Sequence, residues 1–158
     1  MQDLSGLNYR PCVGLMIVNE LGHIFTGQRL GYSSMAWQMP QGGIEKGEDP
    51  LIAAYRELKE ETSIVKSKVE LLAVSRNWVR YDLPLDLIPK LWNGVYRGQS
   101  QKWFLMRFLG DDTDINLTTE VPEFSSWRWS SKGQLIKYIV PFKKELYKKV
   151  LKEFKPFF

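Results

Sequence analysis

Three carboxylates, Glu57, Glu60 and Glu61, fall within five residues of one another, with Arg56 immediately before them. On a helix of about 3.6 residues per turn they share an arc of about 100°. Like charges spaced i, i+3 and i, i+4 repel, each pair costing a helix a few tenths of a kcal/mol, ~0.3. A helix built only for solubility would scatter lysines among them, so this cluster calls for a counter-charge. Hard oxygen donors without histidine or cysteine suit Mg²⁺ or Mn²⁺, ions that keep several waters and bind substrate phosphates. The rest of the composition agrees. A single histidine, His23, excludes a His-rich metal site, and a single cysteine, Cys12, excludes both an internal disulfide and a cysteine-built zinc site.

Charge is divided unevenly along the chain. Residues 42–64 carry a net −3, while the whole chain carries +4, so the remainder sums to +7. From Lys132 to the end there are eight lysines against two glutamates. An acidic island in a basic chain suggests a cation site beside a surface suited to polyanions. The plain alternative for the lysine run is a solvated helix face.

The elements that must hold these groups can be read from pattern. With 158 residues, one domain spanning 1–158 is expected. No apolar run reaches the ~20 residues of a membrane span, and no basic start followed by an apolar stretch marks a secretory leader. A cytoplasmic protein, acting as a monomer, is the expectation. Pro11 to Val18 and His23 to Arg29 read as two strands of a hairpin around the turn Asn19–Gly22. Gly31 to Ala36 reads as a loop, and Pro40-Gln-Gly-Gly43 breaks regular structure. Asp49 is placed to cap a helix with Pro50 in its first position. That helix should run to about Thr62, with Leu51, Ala54, Tyr55 and Leu58 as its buried stripe. The acids would then lie on a flank, about 120° round the helix from that stripe.

Val69 to Tyr81 reads as one strand, which can bend, and Asp82 to Ser100 as a long irregular segment. Gln101 to Leu109 is apolar on both faces, as a central strand requires. Trp127-Arg-Trp129 should form a last strand. Pro141 should start a terminal helix whose apolar row is Phe142, Leu146, Val150 and Phe154. Strands and helices mix without strict βαβ alternation, which favours an α+β layering.

Context turns the acidic helix from a solvated face into a motif. Gly42, Glu48, Arg56, Glu57, Leu58, Glu60, Glu61 and Ile64 stand at the spacing of the Nudix box, which here covers 42–64. One position departs, with Ser63 where the pattern has Gly. That Gly normally serves a helix end with positive φ, so Ser there should cost about 1–2 kcal/mol and bears on stability rather than on metal ligands. Further stretches extend the similarity: Tyr9-Arg10-Pro11, Trp37-Gln38-Met39-Pro40-Gln41, Arg76-Asn77-Trp78, Tyr81-Asp82-Leu83-Pro84, Gln101-Lys102-Trp103-Phe104, and Pro122-Glu123-Phe124 with Trp127-Arg128-Trp129. Over nearly its whole length the chain resembles the bacterial RNA pyrophosphohydrolases and the related dinucleoside polyphosphate (Ap4A-type) hydrolases.

The resemblance implies a Nudix α/β/α sandwich, with a mixed β-sheet between helices. It implies hydrolysis of a phosphoanhydride in the presence of two or more Mg²⁺ ions, or Mn²⁺, with water attacking phosphorus in line. By motif position Glu57, Glu60 and Glu61 would ligate metal with the carbonyl of Gly42, and Glu48 would brace the loop and Arg56. A further acid outside the box is implied at Glu123, in preference to its neighbour Glu120. The group taking the proton from water is open between Glu57 and Glu123. Arg10, Arg29 and the pair Phe142-Lys143 match positions that contact nucleotides in the RNA-acting family, with Pro141 standing where those enzymes often have a small polar residue. Tyr81 and Lys102 look like the base-stacking and phosphate groups of the Ap4A-type enzymes. The substrate implied first is the 5′-triphosphate end of RNA, and second a dinucleoside polyphosphate; a third possibility is a silent nucleotide-binding module. Against the third stand the intact Arg56, Glu57, Glu60 and Glu61, because a pure binder has no need of a repulsive cluster.

Outside the motif, His23 follows a turn with no nucleophile pattern near it and reads as structural or superficial. Cys12 reads as a small core residue. Most of the six tryptophans should fill the core, and Trp37 and Trp92, in loop-like sequence, are the better candidates to stack on a base.

Overall fold

A computed structural model describes residues 6–30 and 36–158. Strand β1, Asn8–Val18, runs parallel to the long strand β7, Tyr96–Phe108, in a register that pairs Cys12 with Gln101 and Val18 with Arg107. The side chains of these two strands alternate between two cores, as strand geometry demands. Val13, Leu15, Ile17, Phe104 and Met106 point to one, and Met16, Val18, Trp103 and Leu105 to the other. A sheet apolar on both faces must be covered on both. Helix α1, Pro50–Thr62, covers the first face with Ala53, Ala54 and Leu58. Helices α2, Lys132–Lys137, and α3, Lys144–Phe154, cover the second with Leu135, Leu146, Tyr147, Val150 and Phe154.

The remaining strands widen the sheet. β2, Ile24–Arg29, lies beyond β1 and carries β3, Trp37–Gln38, and β8, Phe124–Ser130. β4, Gln41–Gly43, pairs antiparallel with the first half of β1, setting Gly42 opposite Val13. β5, Val69–Val74, and β6, Val79–Asp82, both pair antiparallel with β7. Parallel and antiparallel pairs occur together, so the sheet is mixed and the architecture is the expected α+β sandwich.

Several local expectations change. The single strand read over 69–81 is two strands, parted by a turn at 75–78 in which the Ser75 hydroxyl accepts from the Trp103 amide and donates to the Asn77 carbonyl. The irregular segment ends at Val95 rather than Ser100, because Gly98 to Ser100 are paired on both sides, by β1 and by β6. What precedes is ordered into 3₁₀ turns at Ile88–Lys90 and Trp92–Gly94. The terminal helix begins at Lys144, with Pro141–Lys143 forming a 3₁₀ turn before it. Trp37 belongs to a strand. The loop expected over 31–36 lies outside the described residues apart from Ala36. No helix among the described residues is long and apolar enough to cross a membrane.

Candidate active site

β4 and the start of α1 form one unit. The Asp49 carboxylate accepts from the Leu51 amide at 2.9 Å and caps the helix, with Pro50 in the first turn. From the next turns, Arg56 reaches back across the loop. Its Nε and Nη2 donate to the two oxygens of Glu48 at 2.8 and 2.9 Å, and Nη2 also donates to the Gly43 carbonyl at 2.8 Å. Its remaining nitrogen, Nη1, donates to Glu57 at 2.9 Å and to Glu60 at 3.2 Å. One planar guanidinium thus fixes the Gly-rich loop to the helix and orients two of the three acids. That fork geometry is what lysine lacks.

The three acids are not equivalent. Glu60 is half-exposed, whereas Glu57 is largely covered and Glu61 is only 5% exposed. The flank expected from helix geometry is therefore partly roofed. The buried arc of α1 is rotated towards the acids: Ala53, Ala54, Leu58 and Glu61 are inside, while Leu51 and Tyr55 are only half-buried. The roof is β4 on one side, with the chain at 118–123 across a cleft of about 860 Å³ that holds Glu57, Glu60, Glu61, Glu120 and Glu123.

Electrostatics follow from this burial. Burial pushes the Glu57 carboxyl up to about 7, against the opposing pull of Arg56. Burial, and then the charges of Glu57 and Glu123, hold Glu61 well above the usual carboxylate range, although it accepts from the backbone amide of Gln41. Glu48 goes the other way, held down to about 2 by its hydrogen bond from Arg56.

Among the described residues no three acidic, histidine or cysteine side chains already stand at ligand distance from one point. Arg56 is the cation that Glu57 and Glu60 meet. The donor set nonetheless fits a hard divalent ion. Glu61 Oε2 is buried without a hydrogen-bond partner, which is costly for a carboxylate unless a cation answers it. The Glu57 carboxylate lies against Gly42, in the space where any Cβ would stand, so the backbone of Gly42 is free to share a ligand with it. All the candidate donors are oxygens.

The candidate substrate residues separate into groups. Arg10 lies against Gly43 and stacks over Trp92 at 4.9 Å, in a second cleft of about 250 Å³ that also contains Glu57, Arg56 and Tyr96. Glu57 thus lines both clefts. Arg29 and Lys143 stand on the other side, close enough for Arg29 to oppose the charge on Lys143 and for both to act on Glu61. Lys143 is 5% exposed, and burial, then Arg29, lowers it to about 8. Phe142 packs beside it, 6.0 Å from the Tyr81 ring.

Two residues expected to work together do not meet. Tyr81 is buried in the α3-side core, so it supports Phe142 and Lys143 from beneath rather than offering an open stacking face. Lys102, one residue out of step with Gln101 and Trp103 on β7, faces the opposite side of the sheet and donates to the Arg76 carbonyl at 3.3 Å.

The sequence pattern did not reveal a buried amide chain: the Gln101 Nε2 donates to Gln41 and Gln99, and Trp103 Nε1 donates to Gln101. It braces β4 from beneath, and Gln41 in turn meets Glu61. Its only sequence signal was the unusual run of glutamines facing inward from an apolar strand. Cys12 is buried, as expected, and its thiol is pushed up by burial to about 11. His23 is half-buried after the Asn19–Gly22 turn, where its amide donates to Asn19 Oδ1.

Comparison with known proteins agrees with this construction. The family model for the NUDIX domain matches residues 8–150. The RNA pyrophosphohydrolase of Roseobacter denitrificans is 56% identical, over 97% of this chain and 96% of that protein. The protein of the same name from Sphingopyxis alaskensis is 54% identical over 99% of each. Among solved structures, a C. elegans Ap4A hydrolase binary complex superposes with a TM-score of 0.68 at 24% identity, over 94% of this chain and 99% of that one. The E. coli dihydroneopterin triphosphate pyrophosphohydrolase gives 0.71 at 19%, over 92% and 99%. These two likenesses concern the fold. With the family match covering the sheet, the acidic helix and the loop that Arg56 ties to it, the chain belongs to the Nudix family.

Proposed function

We propose that this chain is an RNA pyrophosphohydrolase, a single domain that removes pyrophosphate from the 5′-triphosphate end of RNA by attack of water on a phosphoanhydride. Nudix hydrolases work with divalent metal ions, and the reading assigns Mg²⁺, or Mn²⁺, to Glu57, Glu60, Glu61, Glu123 and the Gly42 carbonyl. It further takes the protein as a cytoplasmic monomer. The observation that carries it is Glu61, a carboxylate with one orphaned oxygen, buried between the other acids and the cationic pair Arg29 and Lys143. Its full-length relatives named RNA pyrophosphohydrolase support the choice of substrate.

When bound, the divalent ions supply a more acidic water and offset charge gathering on the phosphate oxygens. The chain's own groups do the rest. Arg56 holds Glu57 and Glu60 in place and keeps the loop of Gly42 and Gly43 closed on the helix. Glu57, on the wall of both clefts, is one acceptor for the proton of the attacking water. Glu123, across the same cleft, is the other acceptor. Lys143 and Arg29 meet the negative chain of the substrate, and Arg10, stacked on Trp92, meets the nucleotide end from the other cleft.

The test is turnover with Mg²⁺ of triphosphorylated RNA and of Ap4A, compared by kcat/KM. The reading expects RNA to be preferred. A large preference for the dinucleotide would reassign the enzyme to asymmetric cleavage of dinucleoside polyphosphates, and tight binding without turnover of either would make it a silent module.

A further inference from the structure

The buried amide chain beneath β4 has a direction, and one residue sets it. An indole nitrogen can only donate, so Trp103 Nε1, at 2.9 Å, fixes which end of the Gln101 carboxamide is the oxygen. Gln101 Nε2 must then donate, and it spends its hydrogens on Gln41 Oε1 at 3.0 Å and Gln99 Oε1 at 2.6 Å. Both flanking glutamines are thereby held with their carbonyls turned to Gln101 and their own NH2 groups turned away from it. Neither NH2 finds an acceptor among the described residues. Neither nitrogen is fully covered either, since the covered orphans among the described residues are Glu61 Oε2, Thr119 Oγ1 and Arg128 Nη2. Gln99 is 1% exposed, so the little surface it keeps includes a donor without a partner.

These donors belong to the side of the sheet where candidate substrate residues stand. Partners in a ladder share a face. Gln99 is paired with Arg10 on β1 and with Tyr81 on β6, Gln101 with Cys12, and both Gln41 and Trp103 with Gly14. The Lys143 ammonium lies 5.7 Å from the Tyr81 ring centroid and within electrostatic reach of Cys12, so it stands over the same floor. Gln99 therefore sits between Arg10 and Lys143. Two cations with N–H groups between them, and the amide oxygens turned inward, match a ligand whose oxygens only accept, as those of an ionised polyphosphate do. An amide with no fixed direction would turn its own oxygen to that ligand as readily as its NH2, and two acceptors repel.

We propose that Gln101 is a positioning residue for the polyphosphate: set by the Trp103 indole, it holds Gln41 and Gln99 so that the floor between Arg10 and Lys143 presents N–H groups to the phosphate oxygens of the substrate. Gln101 itself touches no substrate and acts through its two neighbours. This rests on the pyrophosphohydrolase reading above and deepens it, because it gives the cleft a reason to accept a polyphosphate that is independent of net charge.

The test separates orienting the amides from bracing β4. Steady-state kcat and KM are measured with Mg²⁺ and triphosphorylated RNA, with inorganic tripolyphosphate, which carries no base, as a competing inhibitor. Gln101→Glu still accepts from Trp103 but cannot donate, so only the NH2 groups of Gln41 and Gln99 can satisfy it, and their oxygens turn outward. KM and the inhibition constant of tripolyphosphate should each rise by roughly tenfold, with kcat within about threefold of wild type, the signature of lost binding rather than lost chemistry. Gln101→Met adds no charge, loosens both amides and should raise the same two constants by roughly threefold. In a Gln41→Met, Gln99→Met background no amide is left to orient, so Gln101→Met should change neither constant further. A fall in kcat with KM unchanged would reduce Gln101 to a brace and overturn the proposal. So would a KM that rises while the tripolyphosphate constant stays fixed, which would set the donors against a base, or an equal effect of Gln101→Met with and without the two glutamines. If Gln101→Glu does not fold, Gln101→Met and its cycle decide alone. Failure of the RNA reading looks different: the wild type turns over Ap4A instead of RNA, and the same constants are then read with Ap4A.

Discussion

The guanidinium of Arg56 grips both oxygens of Glu48, at 2.8 and 2.9 Å, eight residues apart in sequence and on opposite sides of the glycine loop's closure. This pair is the hinge pin of the acidic site. The same guanidinium orients Glu57 and Glu60, so the position of the loop and the orientation of two acids depend on one side chain. Arg56→Lys keeps the charge and cannot make the fork, and it should lower kcat/KM by tenfold or more, about 1.4 kcal/mol of transition-state stabilisation. A steady-state assay at saturating Mg²⁺ checks this. Rates within twofold of wild type would show that the fork is dispensable.

The carboxylates themselves give a second prediction. Glu57→Gln and Glu60→Gln should each remove most activity while the far-UV spectrum stays that of wild type and the melting temperature does not fall, since neither side chain belongs to a core cluster and the Glu57 charge is itself a cost to the fold. Near-normal turnover in both variants would remove the acids from the chemistry.

Most of this framework was visible in residue spacing. The motif from Gly42 to Ile64 placed Arg56 and the acids on one helix, and Asp49-Pro50 marked where it begins. The apolar run of β7 announced a strand buried on both faces. What spacing could not show was the third dimension. Helix geometry puts Glu61 on the same flank as Glu57 and Glu60, and it cannot show that β4 and residues 118–123 roof this one acid over. Tyr81 and Lys102 match groups of the Ap4A-type enzymes by motif, and a motif does not show the pleat that sends them to opposite faces. Ser131 and Gln134 form a capping box that starts α2, a helix whose pattern is obscured by Gly133 and by its six-residue length.

The pH dependence of stability follows from Glu57. An exposed glutamate titrates near 4.5 and burial pushes the folded Glu57 carboxyl up to about 7, so between these the folded state holds more protons than the unfolded state. Unfolding free energy therefore falls as pH rises through that window. Glu61, also raised, acts in the same direction. Glu48, held down to about 2, acts oppositely, but only below 4.5, so the windows do not overlap. Metal-stripped protein should melt lower at pH 8 than at pH 5.5, and saturating Mg²⁺ should reverse much of that loss. Calorimetry with and without EDTA measures it, and a metal-free melting temperature that rises steadily from pH 5.5 to 8 would contradict it.

Lys143 offers the converse case of a site residue that weakens the fold. Its folded value is about 8 against 10.5, so between these the unfolded state binds more protons and stability rises with pH. Below that window the buried charge is a cost. Lys143→Met should raise the melting temperature at pH 7 by roughly 2–4 °C, about 1 kcal/mol, and raise KM for triphosphorylated RNA. A lower melting temperature would show that the ammonium stabilises its surroundings.

Ser63 ends α1 with φ of 68°, where glycine is the natural occupant, and its hydroxyl donates to the Asn116 carbonyl at 2.7 Å. The backbone strain is about 1–2 kcal/mol and an exposed hydrogen bond returns about 1. Ser63→Gly should therefore stabilise slightly, by about 0.5 kcal/mol, and Ser63→Ala should destabilise by about 1, with activity unchanged in both. Urea melts separate the two, and a clear destabilisation by Ser63→Gly would show that the hydroxyl outweighs the strain.

The account turns on a cation answering the orphaned oxygen of Glu61. Titration of Mg²⁺ into metal-stripped protein by calorimetry, with no substrate present, tests this directly. Wild type should bind saturably and release protons at pH 7, while Glu61→Gln, folded and more stable than wild type without metal, should bind at least tenfold more weakly. Equal affinity in the two proteins, or no saturable binding in wild type, would contradict it.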